Sequence, residues 1–231
     1  MSNSVGVVIV AAGRGTRMGT LESKQFLMLQ DKPIVVHTIE AFQSHERITE
    51  IVLVTGAEDI ERCRGWIEKY KLDKVIQVIA GGTERQYSVY RGLKELSTQW
   101  VMVHDGVRPF VEEGHIEACY QCAKLKGASV LAVPVKDTIK QVNGEGIVVS
   151  TPDRRSLWAI QTPQTFRLSE LKAAYERADR EGYLGTDDAS LAERAGIEVS
   201  VVEGSYSNIK ITTPEDLDFA EFTRRPRGEV Q

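Results

Sequence analysis

The fold is decided by the stretch Val7-Val8-Ile9-Val10-Ala11-Ala12-Gly13-Arg14-Gly15-Thr16-Arg17-Met18-Gly19, which Lys24 follows. Its β-branched run without polar alternation is typical of a strand buried on both faces. The loop that leaves this strand combines glycines with arginines. Glycine lets main-chain N–H groups approach a ligand, and arginine supplies a permanent forked positive charge. The stretch therefore predicts a phosphate site at a strand end, although glycine-rich turns also occur without a ligand.

Strands and helices alternate from this stretch as far as Val135, which predicts a parallel sheet with right-handed crossovers. The alternation breaks at 138–150, where two short apolar runs flank Asn143-Gly144 and predict a β-hairpin. A lone hairpin is marginal in water, so we expect it to pack on a second copy of the chain or on its own domain. The prediction is an α/β fold: one Rossmann-like three-layer domain over 1–231, with a mostly parallel central sheet and an inserted β-hairpin dimerisation arm at about 137–156.

Three helix starts carry capping signals. Thr83 and Gln86 have the spacing of a capping box, Thr186 is placed to cap a helix from Asp187, and Thr213 precedes Pro214 and an acidic first turn.

Composition excludes several classes of protein. The 231 residues carry a formal net charge of −4, which argues against a general nucleic-acid binder. No apolar run approaches the roughly 20 residues of a membrane helix, and the first residues lack the features of a signal peptide, so we expect a cytoplasmic protein. Of the three cysteines, Cys63, Cys119 and Cys122, the first two lie at helical spacing from apolar residues and are expected to fill the core. No second Cys or His pair stands at zinc-ligand spacing from Cys119 and Cys122, which disfavours a metal–thiolate site.

Two further strand ends carry polar chemistry. Gly81-Gly82 ends one predicted strand, and Asp105 ends another, just before Arg108. An acidic residue at such an edge meets a metal or a polar substrate, or it pairs with Arg108 to order the loop. Together with the basic residues in loops and at strand ends, this favours phosphoryl or nucleotidyl transfer, in which catalysis is mostly positioning and charge stabilisation. Met18 stands where a dinucleotide fingerprint needs Gly or Ala, which disfavours an NAD-linked dehydrogenase.

The first loop and Lys24-Gln25-Phe26 resemble the signature of the sugar-nucleotide-type nucleotidyltransferases, with Ser23 where many members have proline. The remaining motifs resemble those of the 2-C-methyl-D-erythritol 4-phosphate cytidylyltransferase family. They are Gly81-Gly82-x-x-Arg85-x-x-Ser88, His104-Asp105-Gly106-Val107-Arg108-Pro109, Asp137-Thr138-Ile139-Lys140, Leu157-Trp158-x-x-Gln161-Thr162-Pro163-Gln164 and Asn208-Ile209-Lys210-Ile211-Thr212-x-Pro214-Glu215-Asp216. The resemblance covers nearly the whole chain, and Gly106-Val107 departs from a frequent Ala-Ala.

The resemblance implies a reaction of CTP with 2-C-methyl-D-erythritol 4-phosphate (MEP) that gives CDP-methylerythritol and pyrophosphate, with a divalent metal such as Mg²⁺, in non-mevalonate isoprenoid biosynthesis. It also implies roles for particular residues. Arg17 and Lys24, with Arg154 and Lys210, would be catalytic; Ala11, Ala12, Gly13, Gly15, Gly82, Thr83 and Ser88 would hold CTP; Asp105, Arg108, Thr138, Arg154, Thr162 and Lys210 would hold MEP. Thr138 and Arg154 would come from the other subunit of a homodimer. Mg²⁺ would be held mainly by the CTP phosphates, with Asp105 as a possible ligand.

Two alternatives stay open at this point. A ribitol-5-phosphate cytidylyltransferase would share the basic loop, the cytidine site and Gln161-Thr162-Pro163-Gln164. A non-catalytic CTP-binding protein would bind the nucleotide without releasing pyrophosphate.

Overall fold

The computed structural model describes residues 3–13 and 22–224. The strands within these ranges are β1 (Val5–Val10), β2 (Met28–Leu29), β3 (Lys32–Pro33), β4 (Ile48–Thr55), β5 (Val75–Ala80), β6 (Trp100–Asp105), β7 (Ala128–Pro134), β8 (Gln141–Val142), β9 (Val148–Ser150), β10 (Trp158–Arg167) and β11 (Val199–Glu203). The α-helices are α1 (Ile34–Gln43), α2 (Ile60–Lys69), α3 (Arg85–Glu95), α4 (Glu113–Lys126), α5 (Leu168–Arg180), α6 (Asp188–Arg194) and α7 (Pro214–Arg224).

Seven strands form the central sheet, in the order β11-β7-β10-β6-β1-β4-β5. Only β10 runs antiparallel to its neighbours, β6 and β7. The mostly parallel sheet predicted from the alternation is therefore confirmed. Because β1 pairs in parallel with both β4 and β6, with Val10 opposite Asp105, the strand ends that carry the predicted site lie at one edge of the sheet.

Two apolar clusters cover the two faces of the sheet. Along β1, Val7 and Ile9 belong to the cluster that contains Phe42 of α1 and Tyr120 of α4, whereas Val8 packs with Val89 of α3 on the opposite face. This alternation produces the predicted three layers of helices, sheet and helices.

Two cysteines lie in the core, as expected. Burial raises the pKa of Cys63 to about 11 and that of Cys119 to about 12, so both thiols stay protonated at neutral pH.

The hairpin arm is confirmed as a hairpin, since β8 and β9 pair antiparallel in a separate two-stranded sheet. Its turn extends from Asn143 to Gly146: Asn143 Oδ1 accepts hydrogen bonds from the N–H groups of Glu145 and Ile147, and the positive φ of 79° falls on Gly146. The Asn-Gly dipeptide thus starts the turn but does not take its left-handed position.

Two of the predicted helix caps are wrong. Helix α3 begins at Arg85 with Glu84 as its N-cap residue, so Thr83 lies one residue before the cap position, and no side chain caps the helix. The Gln86 amide is engaged with the Tyr183 carbonyl and the Gly185 N–H instead. Helix α6 is capped by Asp187 rather than Thr186, since Asp187 Oδ1 accepts from the Ser190 N–H.

The third cap is confirmed. Asp216 Oδ2 accepts from the Thr213 N–H, and the Asp216 N–H donates to Thr213 Oγ1. None of the described helices has the length and apolar character needed to cross a membrane.

Candidate active site

A cavity opens at the edge of the sheet where β1 and β6 end. Its lining comprises Val10, Ala11, Ala12, Gly13, Lys24, Gln25, Gly82, Thr83, Glu84, Arg85, Ser88, Asp105, Val107 and Lys210. The structure therefore brings together predicted site residues from five separate segments of the chain. The predicted residues Gly15 and Arg17 lie outside the described part of the chain.

One wall of the cavity is a close approach of two backbones. A Cβ at Gly81 would lie 2.5 Å from the Cβ of Ala12, so only glycine allows the two strand ends to meet there. The Gly82 N–H donates to Ser88 Oγ at 3.0 Å, and that hydroxyl donates to the Glu84 carbonyl at 3.0 Å. Ser88 therefore fixes the glycine turn against the first turn of α3.

Lys24 reaches the cavity from a segment anchored on both sides. The Gln25 amide donates to the Ala11 carbonyl at 2.7 Å, which ties this segment to the end of β1. Arg62 of α2 makes a bidentate ion pair with Glu22, at 2.9 and 2.7 Å. Gln25 was not predicted as a site residue; its buried amide, next to Lys24, holds the lysine at the strand end.

The electrostatic centre of the cavity is Asp105. Its Oδ2 atom lies 3.0 Å from Lys210 Nζ and 3.5 Å from Arg108 Nε, and its Oδ1 atom lies 3.6 Å from Arg85 Nε. Burial alone would raise the pKa of Asp105, but the charges of Lys210, Arg85 and Arg108 outweigh burial and hold that pKa well below its ordinary value. Asp105 is therefore ionised at neutral pH and fixed among cations.

Thr162 and His104 hold the end of β6 from behind. Thr162 Oγ1 accepts from the Asp105 N–H at 3.1 Å and lies 3.1 Å from His104 Nδ1, while His104 Nε2 lies 3.1 Å from the Arg108 carbonyl. A carbonyl only accepts, so Nε2 carries the proton and Nδ1 accepts from Thr162. Burial lowers the pKa of His104 to about 4, which keeps the ring neutral.

The predicted substrate residues Thr162 and Arg108 are thus placed differently from Asp105 and Lys210. Neither is among the residues that line the cavity in the described chain. The Thr162 hydroxyl accepts from the Asp105 N–H and donates to His104 Nδ1. Arg108 donates to the Asn208 carbonyl at 2.8 Å. Both residues shape the loops that carry Asp105 and Lys210.

The arm residues are also apart from the cavity of the single chain. Thr138 and Arg154 are exposed, neither lines the cavity, and Arg154 donates to the Lys136 carbonyl at 2.6 Å. Their predicted role requires the arm of another chain.

The side chains at the cavity do not fit a protein-held metal ion. A hard divalent cation takes several oxygen ligands, and the Asp105 carboxylate lies within 3.6 Å of three cationic side chains, which would repel such an ion. Within 3–13 and 22–224, no group of three or more His, Cys, Asp or Glu could hold a metal.

Comparison with known proteins gives one consistent family. The family model described as 2-C-methyl-D-erythritol 4-phosphate cytidylyltransferase matches residues 5–225. A protein of that name from Alkaliphilus metalliredigens is 51% identical over 99% of this chain and 97% of its own length, and one from Bacillus velezensis is 51% identical over 93% of both chains.

A solved structure from Anaerococcus prevotii has the same fold. It is titled a 4-diphosphocytidyl-2C-methyl-D-erythritol synthase, and it superposes with a TM-score of 0.86 at 33% identity over 97% of this chain and 100% of that one. Fold, cavity and sequence similarity agree, and the chain belongs to the 2-C-methyl-D-erythritol 4-phosphate cytidylyltransferase family.

Proposed function

We propose that the chain transfers the cytidylyl group of CTP to the phosphate of MEP, releasing pyrophosphate. A phosphate oxygen of MEP attacks the α-phosphorus of CTP, a new P–O bond forms, and the bond from that phosphorus to the pyrophosphate oxygen breaks. The observation that carries this proposal is the convergence of Lys24, the Gly82–Ser88 turn and the Asp105–Lys210 pair on one cavity. Such a site can place two phosphorylated reactants without a covalent intermediate.

The Gly82–Ser88 wall suits a cytosine base. Ser88 Oγ already donates its proton to the Glu84 carbonyl and accepts from the Gly82 N–H, so its remaining lone pair can only accept. Cytosine presents an amino donor at the position where uracil presents a carbonyl. We therefore propose that Ser88 accepts from the cytosine amino group and so selects CTP over UTP. The wall that would hold the nucleotide is formed by Ala11, Ala12, Gly13, Gly82, Thr83 and Ser88.

Lys24 stabilises the charge that builds on the α-phosphate, and the proposal gives Arg17 the same task, whereas Gly15 in the same loop would hold CTP. Groups fixed before the reaction stabilise the transition state without reorganisation. The anchoring of the Lys24 segment through Gln25 and Glu22 supports this role.

Asp105 and Lys210 receive the acceptor. The ionised Asp105 carboxylate accepts from a hydroxyl of the methylerythritol chain, and Lys210 pairs with its phosphate. Arg108 and Thr162 act behind them, by holding the loops in which these two residues stand. We propose that Thr138 and Arg154 of a second copy complete the phosphate site, so that the active enzyme is a homodimer. In this proposal each subunit is a single domain over residues 1–231.

A divalent ion such as Mg²⁺ would be held by the triphosphate of the bound nucleotide and would neutralise part of its charge. Asp105 is disfavoured as a ligand because it lies within 3.6 Å of three cationic side chains. We therefore place no protein ligand on the ion. A cytoplasmic location stays a prediction.

The test is a measurement of pyrophosphate release from Mg²⁺ and CTP with MEP, with ribitol 5-phosphate, or with no acceptor. We expect pyrophosphate release when MEP is the acceptor, and none with ribitol 5-phosphate or without an acceptor. Release with ribitol 5-phosphate alone would instead assign the acceptor of the alternative family, and CTP binding without release under any acceptor would indicate a non-catalytic protein.

A further inference from the structure

Asp188 is a fully buried carboxylate that lies behind the cavity. It is 0% exposed, and Arg85 grips it with both ends of its fork, Nη1 to Oδ1 at 3.1 Å and Nη2 to Oδ2 at 2.8 Å. The Tyr175 hydroxyl donates to the same Oδ1. A buried carboxylate is tolerated only when it is paired and hydrogen-bonded, so this geometry is a fixed part of the fold.

The backbone around Asp188 is anchored as firmly as the side chain. The Gln164 amide donates to Asp187 Oδ2 at 2.8 Å and accepts from the Ala189 N–H at 2.9 Å, so both neighbours of Asp188 are bonded to β10. Tyr175 is held by stacking on Tyr90, with ring centroids 5.9 Å apart. Asp188 therefore cannot follow Arg85 if the guanidinium moves.

Arg85 has a second carboxylate within reach. Its Nε lies 3.6 Å from Asp105 Oδ1, which is too far for a good hydrogen bond, whereas Lys210 and Arg108 both approach the other oxygen, Oδ2. Both terminal nitrogens of Arg85, Nη1 and Nη2, donate hydrogen bonds to Asp188 instead. Among the described residues, Asp105 Oδ1 thus keeps room to accept a further hydrogen bond on the cavity side.

We propose that Asp188 and Tyr175 are positioning residues for cytidylyl transfer, which occupy the fork of Arg85 and so keep Asp105 Oδ1 available to a hydroxyl of the acceptor. This inference rests on the proposed function only in placing the acceptor at Asp105. A guanidinium released from Asp188 would turn to Asp105, because a bidentate pair with a carboxylate is its strongest available contact.

The decisive variant is Asp188→Asn, which keeps the size of the side chain and removes its charge. We expect KM for MEP to rise about tenfold, the effect of one lost hydrogen bond to a charged group, while KM for CTP stays within about twofold. The double variant Arg85→Gln/Asp188→Asn removes the released guanidinium and leaves two amides that can bond each other. We expect it to bring KM for MEP back towards the wild-type value.

Tyr175→Phe provides a milder version that retains the carboxylate. It should raise KM for MEP in the same direction, and Tyr90→Phe is its matched control, because the Tyr90 hydroxyl contacts Glu176 on the surface rather than Asp188. If Asp188→Asn does not fold, the comparison of these two variants carries the test.

A merely structural role makes different predictions. It would lower kcat with both KM values unchanged, and Arg85→Gln/Asp188→Asn would not recover; either result overturns the inference. Asp105→Asn separates the inference from the proposed function. If this variant leaves KM for MEP unchanged, the acceptor is not at Asp105; if it raises that KM while Asp188→Asn and Tyr175→Phe do not, the inference alone fails.

Discussion

The predicted site residues of the cavity and those of the arm lie in opposite kinds of environment. In the cavity, Asp105 is only 7% exposed and lies against three cations, and its backbone is bonded to Thr162. In the arm, Val149 is 57% exposed and Arg154 bonds only a neighbouring carbonyl, Lys136 O, in the described structure. The cavity is organised within one chain, whereas the arm has an apolar surface that its own chain leaves open.

This difference teaches which part of catalysis each region can supply. Charges fixed in a partly buried cavity stabilise a transition state without reorganisation, so we propose that the single chain holds one face of the site. A two-stranded hairpin is marginal on its own, and exposed apolar residues on it are typical of a surface that packs on a partner. These residues are Ile139, Val142, Ile147, Val148 and Val149.

The largest expected effect comes from removing a charged side chain of the cavity, Lys24. Lys24→Ala should lower kcat about 10²- to 10³-fold, roughly 3 kcal/mol, because it removes one fixed contact to the charge on the α-phosphate. KM for CTP should change little. Pyrophosphate release under saturating CTP and MEP measures the effect, with Lys126→Ala on the exposed surface of α4 as control. A rise in KM for CTP with unchanged kcat would show that Lys24 stabilises the bound nucleotide and the transition state equally.

The next largest effect comes from placing a charge on the exposed apolar surface of the arm. Val149→Asp places a charge on the apolar arm, so we expect sedimentation to show a monomer and activity to fall with the loss of the dimer. Leu125→Asp is the matched control, since Leu125 of α4 is also apolar and exposed but is remote in sequence from the arm. A Val149→Asp protein that remains a fully active dimer would remove the arm from the interface.

Acid should lower the free energy of unfolding through His104, which lies behind the cavity. The pKa of this buried ring is about 4 in the folded protein against 6.5 for an ordinary histidine, so the unfolded chain binds one more proton between these values. Stability contributed by neutral His104 is therefore present above pH 6.5 and is lost as pH falls towards 4.

Urea unfolding across that pH range measures this loss. The free energy of unfolding should fall with a contribution from His104 of about 1.4 kcal/mol per pH unit, and His104→Gln should lack that contribution. Identical slopes for the two proteins would assign the acid sensitivity to other groups.

The smallest expected effect concerns base selection. Ser88→Ala removes the acceptor that we assign to the cytosine amino group, so the preference for CTP over UTP should fall about tenfold. The ratio of kcat/KM for the two nucleotides measures it. An unchanged ratio would limit Ser88 to holding Gly82.

Much of the site was predictable because parallel strands end at one edge of the sheet. The β-branched run before Ala11, the glycines before Ser88 and the acid that ends β6 each announce a strand end, so their convergence follows from the alternation alone. The resemblance to a family then supplied the reaction and the residue roles, which spacing could not.

What sequence could not predict are pairings between distant side chains. Nothing local indicates that Arg85 meets Asp188, that Gln25 bonds the Ala11 carbonyl, or that the Thr162 hydroxyl is turned towards Asp105 and His104. The predicted capping box of Thr83 and Gln86 is also wrong, and the Gln86 amide donates instead to the Tyr183 carbonyl of a distant loop. Such contacts join residues that are far apart in the sequence, so they depend on where each helical crossover places the next strand and loop in three dimensions.

The most direct test of the comparison is to mix two inactive proteins, Lys24→Ala and Arg154→Ala, under conditions in which subunits exchange. Each mixed dimer then has one site with an intact Lys24 from one chain and an intact Arg154 from the other. We predict recovery to about a quarter of the wild-type activity at equal amounts, because half of the dimers are mixed and each has one complete site. No recovery in dimers shown to have exchanged would place Arg154 in its own chain's site or outside any site, and would contradict the account.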